Sequence, residues 1–197
     1  MLAVATRSDH VARAMRTLEA AFLIGVEGVT EVWLVRHADS YTNGTPSEDP
    51  PLSSIGRDQA KRLAERVKRT QPAAVYSSPY RRAVETAHAI SDQVHVDDRL
   101  VEVELEIDEG GALDFKEPAD QAAARLNAAI DEMVGKHEGG RVIVISHGAA
   151  IVAFLSDVMK LEQGRLRLLP YYTSISTVRV LGDRRMVGSL GDTAHLE

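Results

Sequence analysis

Short β-branched runs alternate with longer amphipathic stretches along most of this chain, and that alternation restricts the fold more than any other feature. Strands are expected at Val32–Val35, Ala74–Ser77, Val94–Val96, Val142–Ser146 and Ser176–Leu181, with a weaker one around Met186–Leu190. Between them, "SIGRDQAKRLAERVKRT" reads as a helix over Ser54–Thr70 with Ile55, Ala60, Leu63 and Val67 inward. Three more helices are expected at Tyr80–Asp92, Pro118–Lys136 and Ala149–Met159, with Pro118 at a first helical position and Gly139-Gly140 marking a stop. Helices interleaved with apolar strands pack on both faces of a sheet. The expected fold is therefore a three-layer α/β/α domain with a mostly parallel central sheet.

At 197 residues, with 44% hydrophobic and 26% charged, the chain is long enough for one substantial core. The first thirty residues stand apart. Val11, Met15, Leu18 and Phe22 recur at helical spacing, with Ser8 or Asp9 as a cap. They predict an amphipathic helical extension over residues 1–30, docked on the domain or on a partner subunit, ahead of a catalytic domain over 31–197. The apolar run Ala20–Val26 is too short to span a membrane. A net charge of −6 offers no global field for nucleic acid or an acidic membrane surface, so any bound anion needs a local cationic cluster. The absence of cysteine excludes disulfides and thiolate chemistry and fits a cytoplasmic setting.

In open α/β sheets, ligands bind beyond the carboxyl ends of the strands. Arg36 and His37 follow the first strand in "EVWLVRHADS", "SSPYRRAVETA" follows the second, and "SHGAAI" follows the fourth. If those strands are neighbours, Arg36, His37, Arg82 or Arg81, and His147 converge on one mouth, where an anion would sit. In this order, "VWLVRHADSYTN", "SSPYRRAVETA", "RLVEVE" and "VIVISHGAAIV" resemble the histidine phosphatase superfamily, the phosphoglycerate-mutase-like proteins. Its pattern runs R-H-G-x-T-x-x-N, S-S-P-x-x-R-A-x-x-T-A, L-x-E and S-H-G. The resemblance spans about residues 31–190. Leu52, Gly56 and Gln59-Ala60 also fit it, while Ala38 stands in place of the usual Gly and Ser40 in place of the usual Thr. Ala38 raises the question of whether a methyl group and a restricted φ are tolerated beside the histidine.

The resemblance implies a metal-independent phosphatase without a cofactor, acting through a phosphohistidine. His37 is the expected nucleophile as a neutral imidazole, with its other ring nitrogen held by a backbone carbonyl. Arg36 and Arg82 are expected to clamp phosphate oxygens, with Ser40, Asn43, a protonated His147 and the N–H of Gly148 completing the site. Glu102, kept protonated by an apolar wall, is expected to serve the leaving group and then water. Glu104 competes for that role by strand parity. Metal binding by His37, His147 and Glu102 is disfavoured by the two arginines. His88, His95, His137 and His195 lack ligand spacing.

Only about fifteen residues separate Glu102 from the helix near Pro118. Such a short lid favours hydrolysis over mutase chemistry, and the acidic run of Glu102, Glu104, Glu106, Asp108 and Glu109 would repel a multiply charged substrate. A phosphorylated small molecule is the expected partner. The alternatives are a phosphoprotein, such as one carrying phosphohistidine, then a phosphoglycerate mutase, then a non-catalytic phosphate-binding module. A homodimer through the N-terminal helix and the "RLRLLPYYTSIS" stretch is a further expectation.

Overall fold

A computed structural model of the protein describes residues 7–40, 49–107 and 113–197. Six strands form one sheet: β1 (Thr30–Arg36), β2 (Ala74–Ser77), β3 (His95–Val96), β6 (Arg141–Ser146), β7 (Ile175–Leu181) and β8 (Arg184–Asp192). Their spatial order is β3-β2-β6-β1-β7-β8. The four strands from β3 to β1 run parallel, while β7 is antiparallel to both β1 and β8. A separate antiparallel hairpin, β4 (Leu105–Ile107) with β5 (Leu113–Phe115), interrupts the stretch where no strands were expected.

Strand alternation sends successive side chains to opposite faces, and here both faces are covered. Val32, Leu34, Val142, Val144 and Val178 pack against α4 (Ala119–Lys136) and α5 (Gly148–Val158), through Leu126, Ile130, Met133, Ile151 and Phe154. Trp33, Val35, Val75, Ile143 and Ile145 face α2 (Ser54–Lys68) and α3 (Arg81–Ile90), meeting Leu63, Val67, Ala83 and Ala87. Three layers result, as expected. Ile55, read as inward, is instead exposed, because the buried stripe of α2 runs through Gly56, Gln59, Ala60, Leu63, Ala64 and Val67.

α1 (Arg7–Ala21) departs from expectation at its start. Ser8 and Asp9 lie inside the helix rather than capping it. Val11, Met15, Leu18 and Phe22 are all half or more exposed (50–57%), so the apolar stripe is not buried against the sheet domain. The helix end is tethered by the Arg184 guanidinium, which donates to the carbonyls of Ala20 and Ala21, and is followed by the buried Leu23. Among the described residues, no helix is long and apolar enough to cross a membrane.

Candidate active site

β6 lies between β1 and β2, so three parallel strands present their carboxyl ends side by side, with Arg36 paired to Ser146 and Ser77 to Ile145. The ladder continues one residue further: His37 N–H donates to Ser146 O, and Ser78 N–H to Ile145 O. Chain reversal at this point places Arg36-His37, Ser78–Arg82 and His147-Gly148 in one mouth.

The His37 and His147 rings lie 5.1 Å apart, and the Arg82 guanidinium joins them. Arg82 Nε donates to His37 Nε2 at 3.3 Å, and Nη2 lies 3.4 Å from His147 Nδ1. His37 Nδ1 is 2.8 Å from the carbonyl of Ala38. A carbonyl only accepts and a guanidinium only donates, so His37 carries its proton on Nδ1 and presents the lone pair of Nε2 to the mouth. Burial pushes the His37 pKa down to about 3; the Ala38 hydrogen bond opposes this, and Arg82 and Arg36 reinforce it.

The same logic gives His147 an Nε2–H donating to Ser78 Oγ at 2.8 Å. His147 was expected to be protonated. Burial, then the neighbouring His37, Arg82 and Arg36, holds its pKa well below the usual histidine range, so both imidazoles are neutral near pH 7. The mouth's net cationic charge is left to Arg36 and Arg82.

Arg36 is held from the opposite side by the 170–173 segment. Its Nη1 donates to Pro170 O at 2.8 Å, its guanidinium lies 4.2 Å from the Tyr172 ring centre, and Thr173 N–H donates to the Arg36 carbonyl. Tyr172 also packs beside His37, with ring centres 5.7 Å apart. The buried Thr173 takes a positive φ of 57°, an uncommon conformation for a β-branched residue. "RLRLLPYYTSIS", expected at a dimer surface, therefore contributes a wall of the site, although Leu169 and Tyr171 stay exposed. Arg36 Nε is buried without a hydrogen-bond partner. A buried donor left unpaired costs free energy, and one beside the N-terminus of α5 is suited to receive an anion's oxygen.

Behind His37 the turn is pinned by residues of two helices, α2 with its N-cap and α3. Ala38 N–H donates to Thr86 Oγ1, Asp39 N–H to Gln59 Oε1, and Ser53, which caps α2 through Gly56 N–H, takes its own N–H to Asp39 O. A Cβ at Gly56 would lie 1.9 Å from the Asp39 carbonyl oxygen, so only glycine allows α2 this close. Ala38 itself has no positive φ and is fully buried beside Leu52 and Ala60. Its methyl group is accommodated by packing.

Glu102 does not face an apolar wall. Its Oε1 accepts from Val103 N–H (2.9 Å) and Ala150 N–H (3.0 Å), and its Oε2 lies 3.4 Å from Ala149 N, at the start of α5. Glu104, its rival, is exposed one side chain further along a cleft of about 860 Å³, whose lining includes Tyr80, Arg82, Glu102, Lys116 and Arg125. Gly148 begins α5 beside Arg36. Ser40 is buried near this turn, and no hydrogen bond described for it joins it to the cluster. Asn43, Asp108 and Glu109 lie outside the described residues. Sequence reasoning missed Ser78, Tyr80 and Tyr172 as parts of the mouth. Tyr80 packs on His147 at 5.2 Å and on Arg82 at 4.7 Å. Among the described residues, no His/Asp/Glu group has metal-site geometry.

A neutral histidine flanked by two guanidinium groups at a helix N-terminus is an arrangement suited to phosphoryl transfer. The chain belongs to the histidine phosphatase superfamily, whose branch 1 model matches residues 32–115 and 111–193, and it is an enzyme of that class. It is 28% identical over 206 residues to a probable phosphoglycerate mutase of Yersinia enterocolitica, covering 85% of this chain and 95% of that one. It is likewise 28% identical to a metal-independent phosphoserine phosphatase of Arabidopsis thaliana, covering 85% and 84%. Among solved structures, a phosphoserine phosphatase mutant of Entamoeba histolytica in complex with phosphoserine superposes with a TM-score of 0.72 at 20% identity, over 85% of this chain and all of that one. A mycobacterial glucosyl-3-phosphoglycerate phosphatase gives 0.69 at 22%, over 83% and 99%. These likenesses in structure carry the fold.

Proposed function

We propose that the protein hydrolyses small phosphomonoesters without a metal or other cofactor, through a phosphohistidine on His37. The observation that carries this reading is the tautomer of His37: Nδ1–H is spent on Ala38 O, and Nε2 faces the cationic mouth. Two guanidinium groups, one of them 3.4 Å from the Asp49 carboxylate, and two neutral imidazoles give the mouth a cationic character suited to a phosphate anion. Arg36 Nε, Arg82 and the Gly148 N–H would take its equatorial oxygens, with Ser40, Asn43 and His147 as further ligands.

Nε2 attacks phosphorus in line, forming the P–N bond as the P–O bond to the leaving group breaks. In the acid role, the carboxyl of Glu102 turns from the α5 terminus toward the cleft and gives a proton to the leaving oxygen. As the carboxylate, Glu102 then takes a proton from water, whose oxygen attacks phosphorus. The P–N bond breaks, and inorganic phosphate and free His37 result.

Hydrolysis rather than mutase transfer is supported by the short link between Glu102 and α4, which leaves the phosphohistidine beside an open cleft for water. Relatives named for phosphoserine and for phosphoglycerate support a small phosphorylated metabolite as substrate. We also assign residues 1–30 as an extension to a catalytic domain of 31–197. The exposed stripe of α1 supports a homodimer, and a monomeric mass in light scattering overturns that assignment. The lack of cysteine supports a cytoplasmic setting.

The test is phosphate release from an aryl phosphate in excess chelator, followed by a panel of phosphorylated metabolites and phosphoproteins. Activity that survives chelator, disappears in His37→Ala and leaves label on His37 after acid-free quenching is expected. Transfer to a second metabolite without phosphate release moves the assignment to a mutase, and activity on phosphoproteins alone to a phosphoprotein phosphatase. Phosphate binding without any turnover moves it to a binding module.

A further inference from the structure

Glu102 stands on a segment without strand or helix of its own, between the 3-10 turn Asp98–Leu100 and β4. A catalytic carboxyl needs a fixed backbone, and this one is fixed from a distance. Arg125, in the first half of α4, donates through Nη1 to the carbonyls of Arg99 (2.7 Å) and Val101 (2.8 Å). Its Nη2 donates to the carbonyl of Glu102 (3.3 Å) and to Glu117 Oε2 (2.8 Å), and its Nε to Glu117 Oε1 (2.6 Å).

A guanidinium has five N–H donors, and these five bonds use all of them. Arg125 lines the cleft and yet has no donor left for a substrate. Its own orientation is fixed by Glu117, whose carboxyl it holds below the usual carboxylate range, chiefly through that two-pronged hydrogen bond. Glu117 N–H and Lys116 N–H reach back to the Glu104 carbonyl, so both ends of the Glu102 segment are tied to one brace. Lysine, with three donors at a single point, cannot span three carbonyls and a carboxylate.

We infer that Arg125, oriented by Glu117, is a positioning residue that holds the Glu102 main chain in place, so that the carboxyl reaches the leaving-group oxygen by side-chain rotation alone. This inference rests on the reading of Glu102 as the acid–base group. A proton donor matters most when the leaving group is a poor one. An alkoxide must be protonated as it departs, whereas a nitrophenolate leaves unaided. Displacing Glu102 therefore penalises alkyl phosphates selectively, an effect that general loss of structure does not imitate.

The experiment compares kcat/KM, which reports steps through phosphohistidine formation, for p-nitrophenyl phosphate and for the alkyl phosphate that the wild type turns over fastest. Arg125→Lys and Arg125→Met are measured beside Glu102→Gln, with Glu117→Gln as the milder variant, and thermal melts show which are folded. Misplacing a catalytic group costs up to about 100-fold, so Arg125→Lys is expected to lose about 10- to 100-fold on the alkyl ester and less than about 3-fold on the aryl ester. If Arg125→Met does not fold, the ratio for Arg125→Lys decides. Equal losses on the two esters, or none, in folded Arg125 variants while Glu102→Gln discriminates overturn the positioning role alone. A Glu102→Gln variant that treats both esters alike overturns the acid–base reading and the inference with it.

Discussion

The two halves of the mouth are built in opposite ways. His37 and His147 sit directly on the ends of β1 and β6, buried, with their flanking peptide groups continuing the sheet's hydrogen-bond ladder. Glu102 sits on an irregular segment whose place is set by side chains from α4 and by the N–H groups of α5. The difference teaches where this architecture is rigid. The histidine side of the mouth is part of the sheet, whereas the Glu102 side is attached to it through polar contacts that a few substitutions can rearrange.

The largest expected effect breaks the sheet-built half. His37→Ala removes the proposed nucleophile, and phosphate release should fall by about 10⁴-fold or more while the melting curve keeps its cooperativity, as stopped assays and calorimetry would report. Residual turnover near wild type would place the nucleophile elsewhere. Next, Glu102→Gln should cost about 10²–10³-fold on an alkyl phosphate, yet still allow a phosphohistidine to form from p-nitrophenyl phosphate in a rapid-quench experiment. A variant unable to form it from either ester would show that the two halves are not separable.

Third, Gly56→Ala forces a methyl group onto the Asp39 carbonyl, so the turn behind His37 or the start of α2 must move. A loss of about 1–3 kcal/mol in denaturant unfolding is expected, together with reduced turnover. Unchanged stability would mean that the turn is softer than its hydrogen bonds imply.

The last expected effect, no larger per pH unit than the Gly56→Ala loss, is a pH dependence of stability. The folded pKa of His37 lies near 3, below the ordinary 6.5, and that of His147 is also depressed, so the unfolded chain binds more protons below pH 6.5. The His37 contribution to stability is complete above that pH and is lost as the pH falls toward 3, and that of His147 declines in the same direction. The slope is up to about 1.4 kcal/mol per pH unit for each histidine. Denaturant melts at pH 7 and pH 5 should show the decline, and His37→Ala should reduce its slope. Identical slopes in the two proteins would show that His37 does not stay neutral.

Much of this was legible from residues alone, for physical reasons that also set the limit. β1 reads as an unbroken apolar run because both its faces are covered, and Arg36-His37 stands out as the polar end of that run. Ala74–Ser77 was placed without error, and the other strands within one or two residues at each end. The β4–β5 hairpin was missed because each strand has three residues, the first of them set in an acidic run with little strand character. Tyr172 and Pro170 were not seen as parts of the site because their partner Arg36 lies 134 residues earlier than Pro170, a distance no local pattern crosses. The charge of His147 depends on burial among other cations, which spacing does not report. Arg125 was invisible for a similar reason, since its acceptors are main-chain carbonyls.

The position of β6 between β1 and β2 also has a cost during synthesis. Arg141 joins Glu31 across 110 residues, and β7 pairs with β1 from later still. At ordinary ribosomal speeds of about 5–20 residues per second, β1, with its apolar run Val32–Val35, waits about 5–20 s for its first neighbour. Throughout that interval both its edges are open to other nascent chains. Release fragments ending before residue 141 should therefore demand chaperone protection and collect in the insoluble fraction, whereas chains extended past β7 should not.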